Sequence, residues 1–261
     1  MFNKGIVVLI ALLLSSQRGQ QQDVRVMLSG AFTEAYQQLI PEFERSSTYK
    51  VVTSFGASLG GAADSIPVRL SRGESADVVI MTAGALDDLI REGKVVPGSR
   101  VDLARSSIGV AVRAGARTPD ISTVDALKGT LLEAKSVAYS ASASGVYVST
   151  ELFDRLGIAA QMRGKTRRVE SERVGAVVAR GEAEIGFQQI SELLPIAGIS
   201  YVGPLPAPVQ RATLVSAGTT TAATNREGAK ALIEFLASPR TVSAIIRSGL
   251  EPVAAAAAVS R

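Results

Sequence analysis

Short β-branched runs alternate with amphipathic stretches along the whole chain, and this rhythm narrows the possible folds more than any other feature. Residues 76–81 (ADVVIM) show it most clearly. An unbroken apolar run of that length suits a strand covered on both faces, as in a parallel sheet packed between helices. Strands are expected at 24–29, 50–55, 76–81, 107–113, 136–140, 183–188, 200–202 and 212–215. Helices are expected at 33–45, 85–92, 123–128, 144–156, 172–180, 225–237 and 239–248, several of them stopped by Gly93, Gly157, Gly181 or Gly249. In 33–45, Tyr36, Leu39, Ile40 and Phe43 share one face, and Thr33 is expected as the N-cap. Such alternation builds βαβ units and an α/β fold, and 261 residues leave room for two lobes.

The chain has no Cys and no His. Thiol nucleophiles, Ser-His triads, zinc fingers and most transition-metal sites are therefore excluded. Acid–base chemistry falls to Asp, Glu, Lys or Tyr, and neither a metal nor a cofactor is expected. The net charge of +4 is mild and the basic residues are scattered, so no nucleic-acid partner is expected. The balance fits a small anionic ligand.

Residues 1–22 read as a secretory signal peptide. MFNK supplies a short positive region, and residues 5–14 (GIVVLIALLL) are too short to span a bilayer comfortably. The expected location is the periplasm, which a cysteine-free chain suits. At the other end, residues 254–259 (AAAAAV) read as a low-complexity tail.

Ligands of open α/β sheets bind beyond the carboxyl ends of the strands, at helix N-termini. Four strand-to-helix turns thus form the expected site: Ser29-Gly30-Ala31-Phe32-Thr33, Gly56-Ala57-Ser58-Leu59-Gly60, Ser140-Ala141-Ser142-Ala143-Ser144-Gly145 and Gln188-Gln189-Ile190-Ser191. All are rich in small or hydroxylated residues and poor in charge. Backbone N–H groups can then approach an anion closely, and Ser and Thr hydroxyls add further donors.

The order of these segments resembles the periplasmic molybdate-binding proteins of ABC importers. The matching stretches are SGAFTEA, SFGAS, ADVVIM, VAYSASASG, GEAEIGF and ALIEFLASP followed by GLEP, which together cover nearly the whole mature chain. The resemblance implies a two-lobed periplasmic-binding-protein fold of type II with the ligand cleft between the lobes. It places lobe 1 at 23–105 plus 216–261 and lobe 2 at 106–215. It also implies a monomer that captures a small anion and hands it to a membrane subunit of an importer. Where that family has a Ser in its first loop this chain has Ala31, and the family's Tyr after the strand of the GEAEIGF stretch is replaced by Gln188 or Gln189. The loop after Ser58 is several residues longer, around GGAAD. A larger anion, a di- or tricarboxylate, is therefore as consistent with the chain as molybdate. The stretch IPVRLSRGESADVVI is also similar to aconitate isomerase-like relatives of that family, which interconvert trans- and cis-aconitate. The alternative reading is thus an isomerase working by a cofactor-free allylic proton shift.

The expected ligand-binding residues are Ser29, Gly30, Ala31, Ser58, Arg69, Tyr139, Ser140, Ser144 and Gln188. Arg69 would fork onto a carboxylate, with Asp64 or Ser65 capping its helix; the competing reading is a solvated arginine. Each Ser has turn or capping chemistry as its competing role. Tyr139 either bonds the anion or packs, and Tyr147 is expected to pack. Asp77 is expected to satisfy backbone donors, since a buried carboxylate needs partners. Glu172 fits first-turn capping, Glu170 has a cleft-facing base as its minor reading, and the run 165–168 reads as a solvated face. The sequence singles out no base.

Overall fold

The computed structural model describes residues 22–170 and 172–253. The expected signal peptide up to residue 21 and the low-complexity tail lie outside the described residues. The chain starts with β1 (Gln22–Leu28), α1 (Thr33–Ser46), β2 (Tyr49–Phe55), α2 (Ile66–Ser71), β3 (Val78–Thr82), α3 (Ala83–Arg91) and β4 (Val101–Ser106). It continues through β5 (Ile108–Arg113), α4 (Val124–Glu133), β6 (Val137–Ser140) and α5 (Ala143–Tyr147), which widens into a π turn (Val148–Leu152) before α6 (Phe153–Arg155). Next come α7 (Ala159–Met162), β7 (Thr166–Val169), α8 (Val174–Ala179), β8 (Ile185–Gln189), α9 (Ile190–Leu193) and β9 (Ile199–Pro204). The last elements are β10 (Thr213–Thr219), α10 (Arg226–Leu236), α11 (Val242–Arg247) and β11 (Glu251–Pro252).

Two sheets result, each the centre of an α/β lobe. The first runs β11-β4-β10-β3-β1-β2 and the second β7-β6-β8-β5-β9. Both are mixed. β1 is parallel to β2 and β3, whereas β10 is antiparallel to β3 and β4. In the second sheet β6 is parallel to β7 and β8, and β5 runs antiparallel to β8 and β9. The parallel surroundings expected for ADVVIM are thus corrected on one side, where the returning β10 is its neighbour. Its burial on both faces holds. Val78 and Ile80 pack with Leu39, Phe43 and Leu232 on one face, while Val79 and Met81 meet Ile66, Leu86 and Leu89 on the other. Each such side chain, fully buried, contributes roughly 1.5–3 kcal/mol, so β3 anchors its lobe. The second sheet repeats the pattern, with Val137 and Ala138 of β6 in cores on opposite faces.

Asp77, at the head of β3, meets the expectation for a buried carboxylate. It accepts from the N–H groups of Arg25 (2.7 Å), Thr224 (2.7 Å) and Asn225 (2.9 Å), tying β1 and the start of α10 to β3. The expected Thr33 cap is corrected. A 3-10 turn at Gly30–Phe32 runs straight into α1, Phe32 holds the N-cap position, and the Thr33 hydroxyl donates back to the Ser29 carbonyl at 3.4 Å.

The chain crosses between the lobes twice, at Ser107 and over the segment between β9 and β10. Gln210 clasps the two crossings: its amide oxygen accepts from the Ile108 N–H and its amide nitrogen donates to the Ile108 carbonyl, both at 2.9 Å. Gln189 lies between them as well. Its amide nitrogen donates to Ser106 Oγ (2.8 Å) and to the carbonyls of Ser106 and Ser107, while its oxygen accepts from Thr213 Oγ1 (3.1 Å), the orientation that satisfies all of these groups. Among the described residues no helix is long and apolar enough to cross a membrane.

Candidate functional site

All four expected turns face one another across a cleft of about 650 Å³ between the lobes. Ser29, Gly30 and Ala31 line it from the turn after β1, and Gly56–Ala62 from the turn after β2. Ser140, Ala141, Ser142 and Ala143 line it from the turn after β6, and Gln188, Gln189 and Glu192 from the turn after β8. α1, through its 3-10 turn, α3 and α5 begin at this cleft, so their free N–H ends and dipoles favour negative charge there.

The hydroxyls differ in what they have left to give. Ser29 Oγ is buried and has no hydrogen-bond partner among the described residues, although it caps nothing and lies on the cleft wall. An orphaned buried hydroxyl costs about 1–3 kcal/mol unless something outside the fold satisfies it. Ser58 Oγ accepts from the Thr82 N–H at 3.1 Å, at the start of α3, which leaves its own proton free for the cleft. Ser140, Ser142 and Ser144 instead serve one another, with Oγ–Oγ separations of 2.7, 3.1 and 3.3 Å. Ser144 stands behind Ser140 and Ser142 and does not itself line the cleft. Gly145 makes this possible, since a Cβ there would run into the Ser140 backbone.

Arg69 is not among the lining residues. Its Nε donates to Glu74 Oε2 at 2.8 Å, its Nη2 pairs with Glu74 Oε1, and its Nη1 donates to the Phe55 carbonyl at 3.0 Å. Glu74 holds the guanidinium in its charged form and is itself pulled below the usual carboxylate range by it. The long loop from Gly56 to Ser65 folds over itself, with the Ser65 hydroxyl donating to the Gly60 carbonyl at 2.9 Å, and leaves Arg69 on its outer side. Tyr139 also stays out of the cleft and packs against the second lobe's core. Tyr147 is buried, donates to the Val209 carbonyl at 2.6 Å and carries Arg211 over its ring at 4.8 Å.

Glu170 and Arg168 reach the cleft rim but pair with each other at 3.2 Å, and Glu172 is bound by Arg180 at 2.9 Å. The expected helix 172–180 starts only at Val174, and the Val174 N–H donates to Gln188 Oε1 at 2.7 Å. The carboxylate that differs is Glu192, one residue past the fourth expected turn. It sits in the first turn of α9, lines the cleft and lies directly over Gly30. Burial pushes its carboxyl up to about 7, although the charge of Arg173 and a hydrogen bond with Gln188 pull the other way. Arg173 bridges the lobes, its Nη2 donating to Glu34 Oε1 at 3.0 Å. Sequence reasoning missed Glu192 and Arg173. An acid in a helix's first turn is an ordinary feature, and what marks this one is Gly30, more than 160 residues away.

The model of a family described as bacterial extracellular solute-binding proteins matches residues 24–251. An aconitate isomerase from a Pseudomonas species is 46% identical over 230 residues, 88% of each chain. A molybdate-binding protein of Azotobacter vinelandii is 25% identical over 251 residues, covering 92% of this chain and 94% of that one. Among solved structures, the sulfate-binding protein of Mycobacterium tuberculosis superposes with a TM-score of 0.72 at 17% identity, covering 92% of this chain and 90% of that one. The periplasmic molybdate-binding protein of Azotobacter vinelandii superposes with a TM-score of 0.64 at 23% identity, covering 87% and 98%.

Proposed function

Because this chain belongs to the bacterial extracellular solute-binding protein family, we propose that an anion-binding cleft of that architecture here carries a base, and that the protein is an isomerase of the aconitate type. One observation carries the reading: Glu192, a carboxyl whose proton is poised near neutrality, lines the cleft beside its hydroxyl and N–H donors, whereas the cleft's Glu170 and Glu172 are paired with Arg168 and Arg180. Beside a carbon acid Glu192 is a base, matched in strength to neutral pH.

In trans-aconitate a methylene carbon lies next to the double bond and bears a carboxylate. Glu192 takes a proton from that carbon, and the C–H pair moves into an allylic system shared with the neighbouring carboxylates. Ser29, Ser58 and the N–H groups of the turn at Gly30 face this developing charge with fixed dipoles. The same carboxylic acid then returns the proton to the far allylic carbon, and the double bond has moved with no net gain or loss of atoms. No cofactor is called on. Gln188 holds Glu192 in place, Ser140 and Ser142 add hydroxyls from the neighbouring turn of the same lobe, and the 46% identity to an aconitate isomerase supports the substrate class. The setting proposed is the periplasm, which the family and the signal peptide expected from the sequence support.

The second reading is a receptor that delivers an anion to an importer. Its support is the neutral, donor-rich composition of the four turns, which suits capture and release equally well. A thermal-shift panel of molybdate, sulfate, citrate and trans-aconitate, run beside a turnover assay with trans-aconitate, separates the two. The isomerase reading expects stabilisation by the tricarboxylates and appearance of the cis isomer. Stabilisation by tetrahedral oxyanions alone, without turnover, selects the receptor.

A further inference from the structure

We infer that Gly30 is a positioning residue: it has no side chain because the Glu192 carboxylate occupies the space a Cβ would fill. The inference rests on the isomerase reading for its catalytic meaning, although the contact itself is geometric. A Cβ built on Gly30 would overlap Glu192 Oε1 and lie 3.1 Å from Cδ and 3.8 Å from Cγ, so its three nearest neighbours all belong to Glu192. Gly30 is not in the left-handed region, so nothing in its backbone conformation demands glycine. It sits in a 3-10 turn, where exchanging Gly for Ala is ordinarily neutral to stabilising. The carboxyl is what the missing methyl group accommodates.

The notch also explains why the carboxyl is enclosed. Ser191 is pinned beside it, its hydroxyl donating to the Ala31 carbonyl at 2.7 Å, so α9 is docked onto the Gly30–Phe32 turn. The Glu192 side chain then has the turn beneath it and the Gln188 amide and Arg173 beside it. The charged groups around it are Arg173 at the head of α8, its partner Glu34 on α1, and Arg168, Glu170, Glu172 and Asp64 lining the same cleft. The Gly30–Phe32 turn and β5 place no charged side chain in the cleft. A methyl group at position 30 would push the carboxylate outward, away from the position the proton transfer needs and into a wetter environment.

The test is a double-mutant cycle of Gly30→Ala and Glu192→Ala, read by thermal midpoint, joined to kinetics and a carboxyl titration. Gly30→Ala should move the midpoint by different amounts in the Glu192 and Glu192→Ala backgrounds, because only in the first must a side chain give way. Displacing a catalytic group by about 1 Å costs on the order of 100-fold, so kcat for trans-aconitate should fall that far in Gly30→Ala while KM stays within about threefold. Carbon NMR of the labelled Glu192 carboxyl should show its titration shifted towards that of an ordinary glutamate. Equal midpoint changes in both backgrounds, or an unmoved titration, would overturn the inference even in an active enzyme. An inactive wild type would defeat the isomerase reading alone, since the midpoints and the titration still judge Gly30. If Gly30→Ala fails to fold, folding restored by Glu192→Ala supports the notch and continued misfolding overturns it.

Discussion

The turn after β1 and the turn after β8 meet across the same cleft, yet they present different groups, the first small and hydroxylated residues and the second glutamine amides and a carboxyl. The first is all dipole: the orphaned Ser29 hydroxyl, free N–H groups and the notch at Gly30. The second brings the ionisable Glu192, lifted to about 7 by burial and steadied by Gln188. On the isomerase reading, a binding cleft becomes a reactive one by adding a single enclosed carboxyl to a wall of donors. The donors need not change.

Breaking the reactive wall should have the largest effect. Glu192→Gln keeps the shape and removes the base, so turnover of trans-aconitate should fall by about 1,000-fold or more, while calorimetry still finds the ligand bound. Breaking the dipolar wall should do less and should act on affinity. Ser29→Ala is expected to weaken trans-aconitate binding roughly tenfold without lowering the ligand-free thermal midpoint, because the lost hydroxyl has no partner in the fold. Loss of stability with unchanged affinity would assign Ser29 to the fold instead.

The pH dependence of stability sharpens the same contrast. A carboxyl raised from the ordinary value of 4.5 to about 7 binds more protons folded than unfolded between those limits. The ligand-free protein should therefore lose stability relative to Glu192→Gln as pH rises from below 4.5, with the difference levelling off above about 7. Parallel stability curves for the two proteins would contradict the shift. The smallest effect is expected at Arg69, which lies outside the cleft on Glu74 and the Phe55 carbonyl. Arg69→Ala should cost about 1 kcal/mol of stability and leave affinity and turnover alone. A clear loss of affinity would return Arg69 to the site.

The alternation of β-branched and amphipathic runs was enough to place the lobes' strands and helices and the four turns. Periodicity and small-residue turns are local signals, and β3 shows them plainly. β4 and β7 were missed because Asp102, Arg105, Arg167 and Arg168 interrupt their apolar pattern, and sheet neighbours make them strands. The mixed direction of the sheets depends on where the chain returns, which no local run encodes. In the site, the Ser29 and Ser58 turns were readable from composition. Arg69 was expected at the cleft and instead binds Glu74 and the Phe55 carbonyl, an orientation that sequence does not encode. Glu192 was hidden for the converse reason, since its meaning depends on a glycine in the other lobe.

The most direct measurement is a proton NMR time course of trans-aconitate with the wild-type protein and with Glu192→Gln, at neutral pH and matched occupancy. The account predicts cis-aconitate resonances growing in with the wild type and held near the buffer rate with the variant. Binding without conversion by the wild type, or equal conversion by both proteins, would contradict it.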